Sequence, residues 1–212
     1  VGIITVDDVV DILEEETTED IEKMAAVMPS DKPYLKTTVF DAYKKRIPWL
    51  LLLMISATFT GSIITSFENE LSRYVVLTAF IPMLMDTGGN AGGQASAIII
   101  RGLSLDEIEF GDWFTVVWKE IRTAALCGLT LALCNFGRLL LFDKVSVAVA
   151  FVVCFTLFVA VVVAKIVGST LPMLAKKIGM DPAVMASPFI TTIVDAISLV
   201  IYFRVASLVL GI

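Results

Sequence analysis

The stretch Ile81–Gln94, I-P-M-L-M-D-T-G-G-N-A-G-G-Q, lies in a segment apolar enough to cross a membrane, yet carries a carboxylate, two amides and four glycines. A charged side chain at membrane depth costs a few kcal/mol, so Asp86 is expected to face water, an ion or a partner group instead of lipid. Pro82 has no N–H and leaves the Thr78 carbonyl without its helical donor, while Gly88, Gly89, Gly92 and Gly93 let backbones approach closely. A polar helix of small residues with one acid suits a conduction pathway. The same glycines, at G-x-x-x-G spacing, also suit plain helix packing, with Asp86 bonding a neighbouring helix.

The surrounding composition supports a membrane setting. With 57% hydrophobic and 18% charged residues and a mean hydropathy of +0.86, the chain is too apolar for a soluble domain. There is no histidine, and the three cysteines (Cys127, Cys134, Cys154) sit in apolar runs without a C-x-x-C pair. Any metal here is therefore a hard, oxygen-preferring cation.

Five apolar spans are read outward from the opening stretch: about 47–66, 71–100 (which contains it), 121–142, 145–168 and 183–211. The segment after Arg101-Gly102-Leu103 mixes acids with Trp113, Phe114 and Trp118 and reads as an interfacial helix. Lysines and arginines cluster before the first span, between the second and third, and between the fourth and fifth, against only Arg73 and Lys144 on the other side. The N-terminus is thus expected to be cytoplasmic and the C-terminus external.

Two acids lie well inside these spans, Asp86 and Asp195. In the fifth span Ser187, Thr191, Asp195, Ser198 and Tyr202 recur at three- and four-residue steps, forming one polar stripe on an apolar helix. Such a stripe calls for water or an ion, or for an internal ion pair of Asp195 with Arg138, Lys165 or Arg204. Asp181 stands at its cytoplasmic end, ~21 Å from Asp195 along the axis. The triplet D-T-G at Asp86–Gly88 also occurs in aspartic proteases, but in β-rich clefts, which makes an intramembrane aspartyl protease a remote alternative.

Residues 1–46 hold 11 acids against 6 bases, which accounts for −5 of the net charge of −6. V-G-I-I-T-V at 1–6 reads as the last strand of a soluble module, and its start at Val suggests a piece of a longer protein. From Asp7 to about Val27 the periodicity is helical and acidic, a pattern that is commonly just a solvated face. M-P-S-D-K-P breaks it, and T-T-V-F-D-A-Y-K-K-R forms a second short helix leading to the membrane.

At this point the residues resemble a family. P-M-L-M-D-T-G-G-N-A-G-G-Q followed by R-G-L looks like the second transmembrane helix of MgtE-type magnesium channels. D-P-A-V-M-A-S-P-F-I-T-T-I-V-D-A-I-S-L-V-I-Y resembles that family's last helix, and V-G-I-I-T-V-D-D-V-V-D-I-L-E-E-E-T-T-E-D-I resembles the end of its second CBS domain with the connecting helix. The similarity covers essentially the whole chain, with three motifs in the family's order.

The resemblance implies an all-α membrane protein: a homodimer of five-span subunits with the pore at the subunit interface, in a prokaryotic-type plasma (inner) membrane. Residues 1–6 would be a CBS remnant, 7–46 the cytoplasmic acidic plug helix and linker, and 47–212 the pore domain. The implied function is Mg²⁺ uptake, gated by cytoplasmic Mg²⁺ in the full-length protein, with no enzymatic chemistry. Mg²⁺ would be both cargo and regulator, and the lipid bilayer, but no nucleic acid, a partner.

By the same resemblance Asp195 is the Mg²⁺ site within the pore and Asp181 a second acidic position near its cytoplasmic end. Asp8, Glu16, Glu19 and Asp20 match regulatory Mg²⁺ positions. Asn90 and the Gly89 backbone, with Ser187, Thr191 and Ser198, would line the pore, although Ser187 stands where the family is expected to have Asn. Asp86, Gly88, Gly92, Gly93 and Pro82 are assigned to packing and local field. Mg²⁺ keeps much of its hydration shell, so one carboxylate per subunit is enough to hold it. An ion-coupled transporter or exporter of divalent cations remains the alternative, since broken polar helices serve those proteins equally well.

Overall fold

The computed structural model describes residues 2–30, 32–185 and 187–211, apart from the side chains of Glu70 and Ser187. Within them the chain is all-helical, with seven α-helices: α1 (Val6–Met24), α2 (Val39–Ser66), α3 (Glu68–Arg73), α4 (Ile81–Ser104), α5 (Trp113–Arg138), α6 (Val147–Lys177) and α7 (Ser187–Leu210). Four helical stretches are long and apolar enough to cross a membrane: Val39–Ser66, Phe110–Asp143, Val147–Lys177 and Pro182–Leu210.

The helix starts follow from capping. Thr5 and Asp8 form a reciprocal capping box at the head of α1. Thr38 accepts from the Asp41 N–H at the head of α2, and Ser146 from the Val149 N–H at the head of α6. Each satisfies a backbone donor that the first helical turn leaves without an intrahelical acceptor.

Several expectations are corrected. Gly2–Thr5 form no strand, because Thr5 is already committed as the α1 cap. The short helix expected before the first span is continuous with it: α2 runs 28 residues with Pro48 inside. The second span is not one helix from 71 to 100, since α3 gives way to a 3₁₀ segment, Val75–Phe80, before α4 begins with Pro82 in its first turn. Proline is tolerated there and not in a helix interior, which is why the break falls at this point. The interfacial segment with Trp113, Phe114 and Trp118 is the first part of α5 itself, and α6 continues nine residues past the expected end at 168.

The core is a trio of mutually packed helices, α4, α6 and α7, with α5 against α6 and α2 along α7. Glycines set its spacing. A Cβ on Gly88 would lie 2.9 Å from Val194 Cγ1, one on Gly89 2.9 Å from Thr191 Cγ2, and one on Gly92 2.6 Å from Ile190 Cγ2 and 3.2 Å from the Ala164 carbonyl oxygen. Gly168 of α6 faces the Gly92 carbonyl directly. At the α3–α4 end, Leu77, Leu84, Leu139, Val152, Leu199, Tyr202 and Phe203 make the apolar centre. α2 joins through Phe67 stacked on Phe203 and Trp49 edge-on to Phe189.

Candidate cation path

Two faces of α4 have opposite characters. Gly88, Gly89, Gly92, Ala95 and Ser96 are buried against α6 and α7. One step round the helix, Pro82, Asp86, Asn90, Gln94 and Ile98 recur every four residues and are exposed on the single chain. Gly89, Asn90, Gly93 and Gln94 line an open pocket of about 490 Å³ on this side. Asp86, Asn90 and Gln94 therefore form a polar stripe in the midst of helices otherwise suited to lipid.

Asp195 stands on α7, next to α4 and within electrostatic range of Asp86. It is half-buried, and its Oδ1 is shielded and accepts no hydrogen bond. Among the described residues Asp195 forms no ion pair: Arg138 instead pairs with Asp143 at 3.2 Å and Lys165 with Glu120 at 3.5 Å. A buried carboxylate oxygen without a donor lacks the compensation that burial demands, which is the kind of compensation a bound cation can supply.

The rest of the α7 stripe divides by direction. Thr191 is half-buried against Gly89, its hydroxyl donating to the Pro188 carbonyl at 2.9 Å. Ser198 is buried beside Gly88, and the Tyr202 hydroxyl donates to the Leu77 carbonyl at 3.0 Å, so these two look into the helix packing. The Ser187 side chain lies outside the described residues. Pro182–Met185 form a 3₁₀ turn before α7.

At the other end of the path, α1 docks its C-terminal half on the 3₁₀ turn. Met24 packs on Ile100 and Ala183, and Lys23 bridges Glu19, at 2.5 Å, to Asp181. Asp181 Oδ1 also accepts the Ala183 N–H at 2.8 Å. Burial alone would push the Lys23 ammonium down, but its hydrogen bonds to Asp181 and Glu19 outweigh this and hold it above the usual lysine range. Asp20 accepts from the Ser104 hydroxyl at 3.3 Å, and burial, reinforced by the charge of Asp181, raises its carboxyl above the ordinary value.

Glu19, Asp20 and Asp181 are thus neighbours. Asp8 is not among them, being exposed and ~17 Å up the helix from Glu19, while Glu16 is exposed one turn before Glu19 and Asp20. The hydrogen bond from the Thr5 hydroxyl holds the Asp8 carboxyl below its usual range. Among the described residues no three acidic, cysteine or histidine side chains are arranged to hold a metal ion.

Comparison with known proteins decides what this arrangement belongs to. Residues 81–205, from the start of α4 to near the end of α7, match the family profile MgtE, described as a divalent cation transporter. The chain belongs to the MgtE family. The magnesium transporter MgtE of Thermus thermophilus is 38% identical over 216 residues, covering 99% of this chain and 46% of the relative. Those of Bacillus subtilis (37%) and Enterococcus faecalis (33%) each match over 98% of this chain and 45% of their own length. This MgtE-family chain thus spans about half the length of the curated relatives it matches. The family is described as one of divalent cation transporters and not of proteases, which tells against the protease reading of Asp86-Thr87-Gly88.

The sequence did not single out Lys23, Thr87, Gln94, Glu120 or Lys165 as site residues of this MgtE chain. Gln94 is legible in hindsight, four residues after Asn90 on the same face. Glu120 was placed at the edge of a span that begins, in the structure, at Trp113.

Proposed function

We propose that this chain is the membrane-spanning part of a Mg²⁺ uptake channel that works as a homodimer in a prokaryotic inner membrane. The observation that carries the reading is the exposed stripe Asp86, Asn90 and Gln94 beside a carboxylate, Asp195, with an uncompensated buried oxygen. At membrane depth that stripe is costly against lipid, and a second copy closing over it would turn it into the wall of an aqueous path. Five crossings follow if α4 counts as a span: its 24 residues reach ~36 Å, more than the hydrocarbon thickness. Its glycines and polar face keep it below the hydropathy of the other four.

In this reading Asp195 is the selective ligand, presented once per subunit, so two carboxylates meet a largely hydrated divalent ion. Asn90, Gly89 and Thr191 line the path, Ser187 and Ser198 flank it, and Asp181 adds field near its cytoplasmic end. Pro82, Gly88, Gly92 and Gly93 set helix spacing, and Asp86 contributes field. The N-terminus is cytoplasmic and the C-terminus external.

The segment 7–46 is the plug helix and linker, and 1–6 the end of a CBS domain. The carboxylate oxygens of Glu19, Asp20 and Asp181 are of the type a regulatory Mg²⁺ takes, but Lys23 already stands among them, Asp8 lies about three turns up the helix, and Glu16 is exposed. Docking of α1 therefore rests on Lys23, and cytoplasmic Mg²⁺ controls this chain only weakly. Steep closure by internal Mg²⁺ in patch recordings would refute that.

Mg²⁺ uptake into proteoliposomes by the parent, Asp195→Ala and Asp195→Asn tests the central claim. Both variants are expected to lose at least tenfold in uptake; undiminished, selective uptake by both would sink the assignment.

A further inference from the structure

Glu120 of α5 and Lys165 of α6 are 8% and 5% exposed, and their charged atoms lie 3.5 Å apart. Both helices belong to segments otherwise apolar enough to cross a membrane. Lys165 is twelve residues, ~18 Å, before the end of α6, well away from an aqueous helix terminus. The pair is one rung of an antiparallel seam whose other rungs are apolar or small: Ala124 and Val161 next to it, then Gly128 against Phe158. An ion pair is not needed to pack such a seam. A hydrophobic pair of similar volume holds buried helices together at least as well.

What sets the pair apart is its neighbour. Lys165 lines a cavity of about 160 Å³ together with Thr87, Asn90, Ala91 and Gln94 of α4. The lysine thus stands immediately behind the amides of the polar stripe. On the next turn of α6, Ala164 and Gly168 touch Gly92, so no intervening layer screens the two helices from each other.

Resting on the transport reading above, we infer that Glu120 is a positioning residue for cation passage. It holds Lys165 in a charge-neutral pair, so that the ammonium closes the wall behind Asn90 and Gln94 without presenting a net positive field to the divalent ion. The sign of whatever charge is left over then governs the concentration at which Mg²⁺ fills the path. A lone cation behind the stripe opposes a divalent ion, and a lone carboxylate attracts it; at an effective dielectric of about 45, between that of protein and water, a unit charge about 10 Å from a divalent ion shifts occupancy by roughly tenfold.

Mg²⁺ uptake into proteoliposomes as a function of Mg²⁺ concentration tests this. A buried lone lysine can shed its proton, so the cationic variant is the double Glu120→Gln/Lys165→Arg, whose guanidinium stays charged. It is expected to raise the half-saturating Mg²⁺ concentration about tenfold, whereas Lys165→Gln lowers it and the neutral double Glu120→Gln/Lys165→Met stays within about twofold of the parent. A merely structural pair would change yield and thermal stability and leave half-saturation alone, or move it the same way for both signs of charge; either result overturns the inference. If the cationic double does not survive purification, Lys165→Gln assayed at about pH 8, where the lone Glu120 is more readily ionised, decides: a half-saturating concentration lowered severalfold supports the inference, and an unchanged or raised one in a folded protein overturns it. A parent that carries no Mg²⁺, or is indifferent to Asp195→Asn, would instead sink the transport reading.

Discussion

Lys23 of α1 and Asp181, 158 positions apart in sequence, form an ion pair that fixes the N-terminal helix against the foot of α7. Glu19 shares the same ammonium at 2.5 Å. The pair is partly shielded, with side-chain exposures of 21% and 33%, and it is backed by the apolar contact of Met24 with Ile100 and Ala183.

Removing that ammonium leaves three acids facing one another. Lys23→Met should loosen α1 by about 1 kcal/mol, the upper end for a partly exposed pair, and so raise its undocked fraction about fivefold. Hydrogen exchange over residues 19–25 reads this directly. Protection equal to that of the parent would show that Met24 alone holds the helix.

The same corner carries a pH dependence. Docking raises the Asp20 carboxyl, through burial and then the charge of Asp181, so docking takes up protons at this site. The stabilisation from its protonated form is complete below the ordinary value of 3.8 and is lost as pH rises through the raised one. Asp20→Asn should therefore dock at least as tightly as the parent at pH 7 and weaken less between pH 4 and 7. Distances between spin labels on α1 and α6 would check this, and a steeper pH response in the variant would contradict it.

Much of this was legible in the sequence because membrane burial punishes errors harshly. The opening stretch with Asp86 and Asn90, and Asp195 inside the fifth apolar run, stand out because a charge within an apolar run is costly. What was not legible depended on partners. Tyr202 falls in the α7 stripe by spacing, yet its hydroxyl is spent on the Leu77 carbonyl, in a 3₁₀ segment that sequence periodicity does not announce. Lys23 has no signal of its own in the sequence, because its partner Asp181 lies 158 positions away. Glu120 was taken for the edge of a span because an acid and a base usually mark one.

Packing at the α4–α6 crossing gives a sharper stability test. A methyl group on Gly168 would drive into the Gly92 carbonyl, and backbone has little room to retreat when α7 lies behind it. Gly168→Ala should cost about 1–3 kcal/mol. Gly137→Ala, inside α5 with nothing within 4 Å of the new methyl, should instead be neutral or stabilise by up to about 1 kcal/mol. Thermal unfolding in detergent orders the two; equal melting temperatures would mean that the crossing is looser than the glycine contacts indicate.

Asp195 separates a channel from a coupled carrier as well as locating the site. In the proposed reading the path is lined by Asn90, Gly89 and Thr191 with one carboxylate per subunit and, away from Asp181 at its cytoplasmic end, has no second titratable group to exchange apart from Asp86 one helix away. The current through the parent should therefore reverse at the Mg²⁺ equilibrium potential and move by about 30 mV for each tenfold change in the Mg²⁺ gradient, the slope for two charges per ion. Asp195→Asn keeps the side chain's size and removes its charge, so it should reduce the current at least tenfold while leaving the fold intact. Planar-bilayer recordings at fixed proton and sodium gradients check both. A reversal potential that follows the proton or sodium gradient would mean that Asp86 and Asp195 carry a coupling ion, and the chain would then be a divalent cation exchanger.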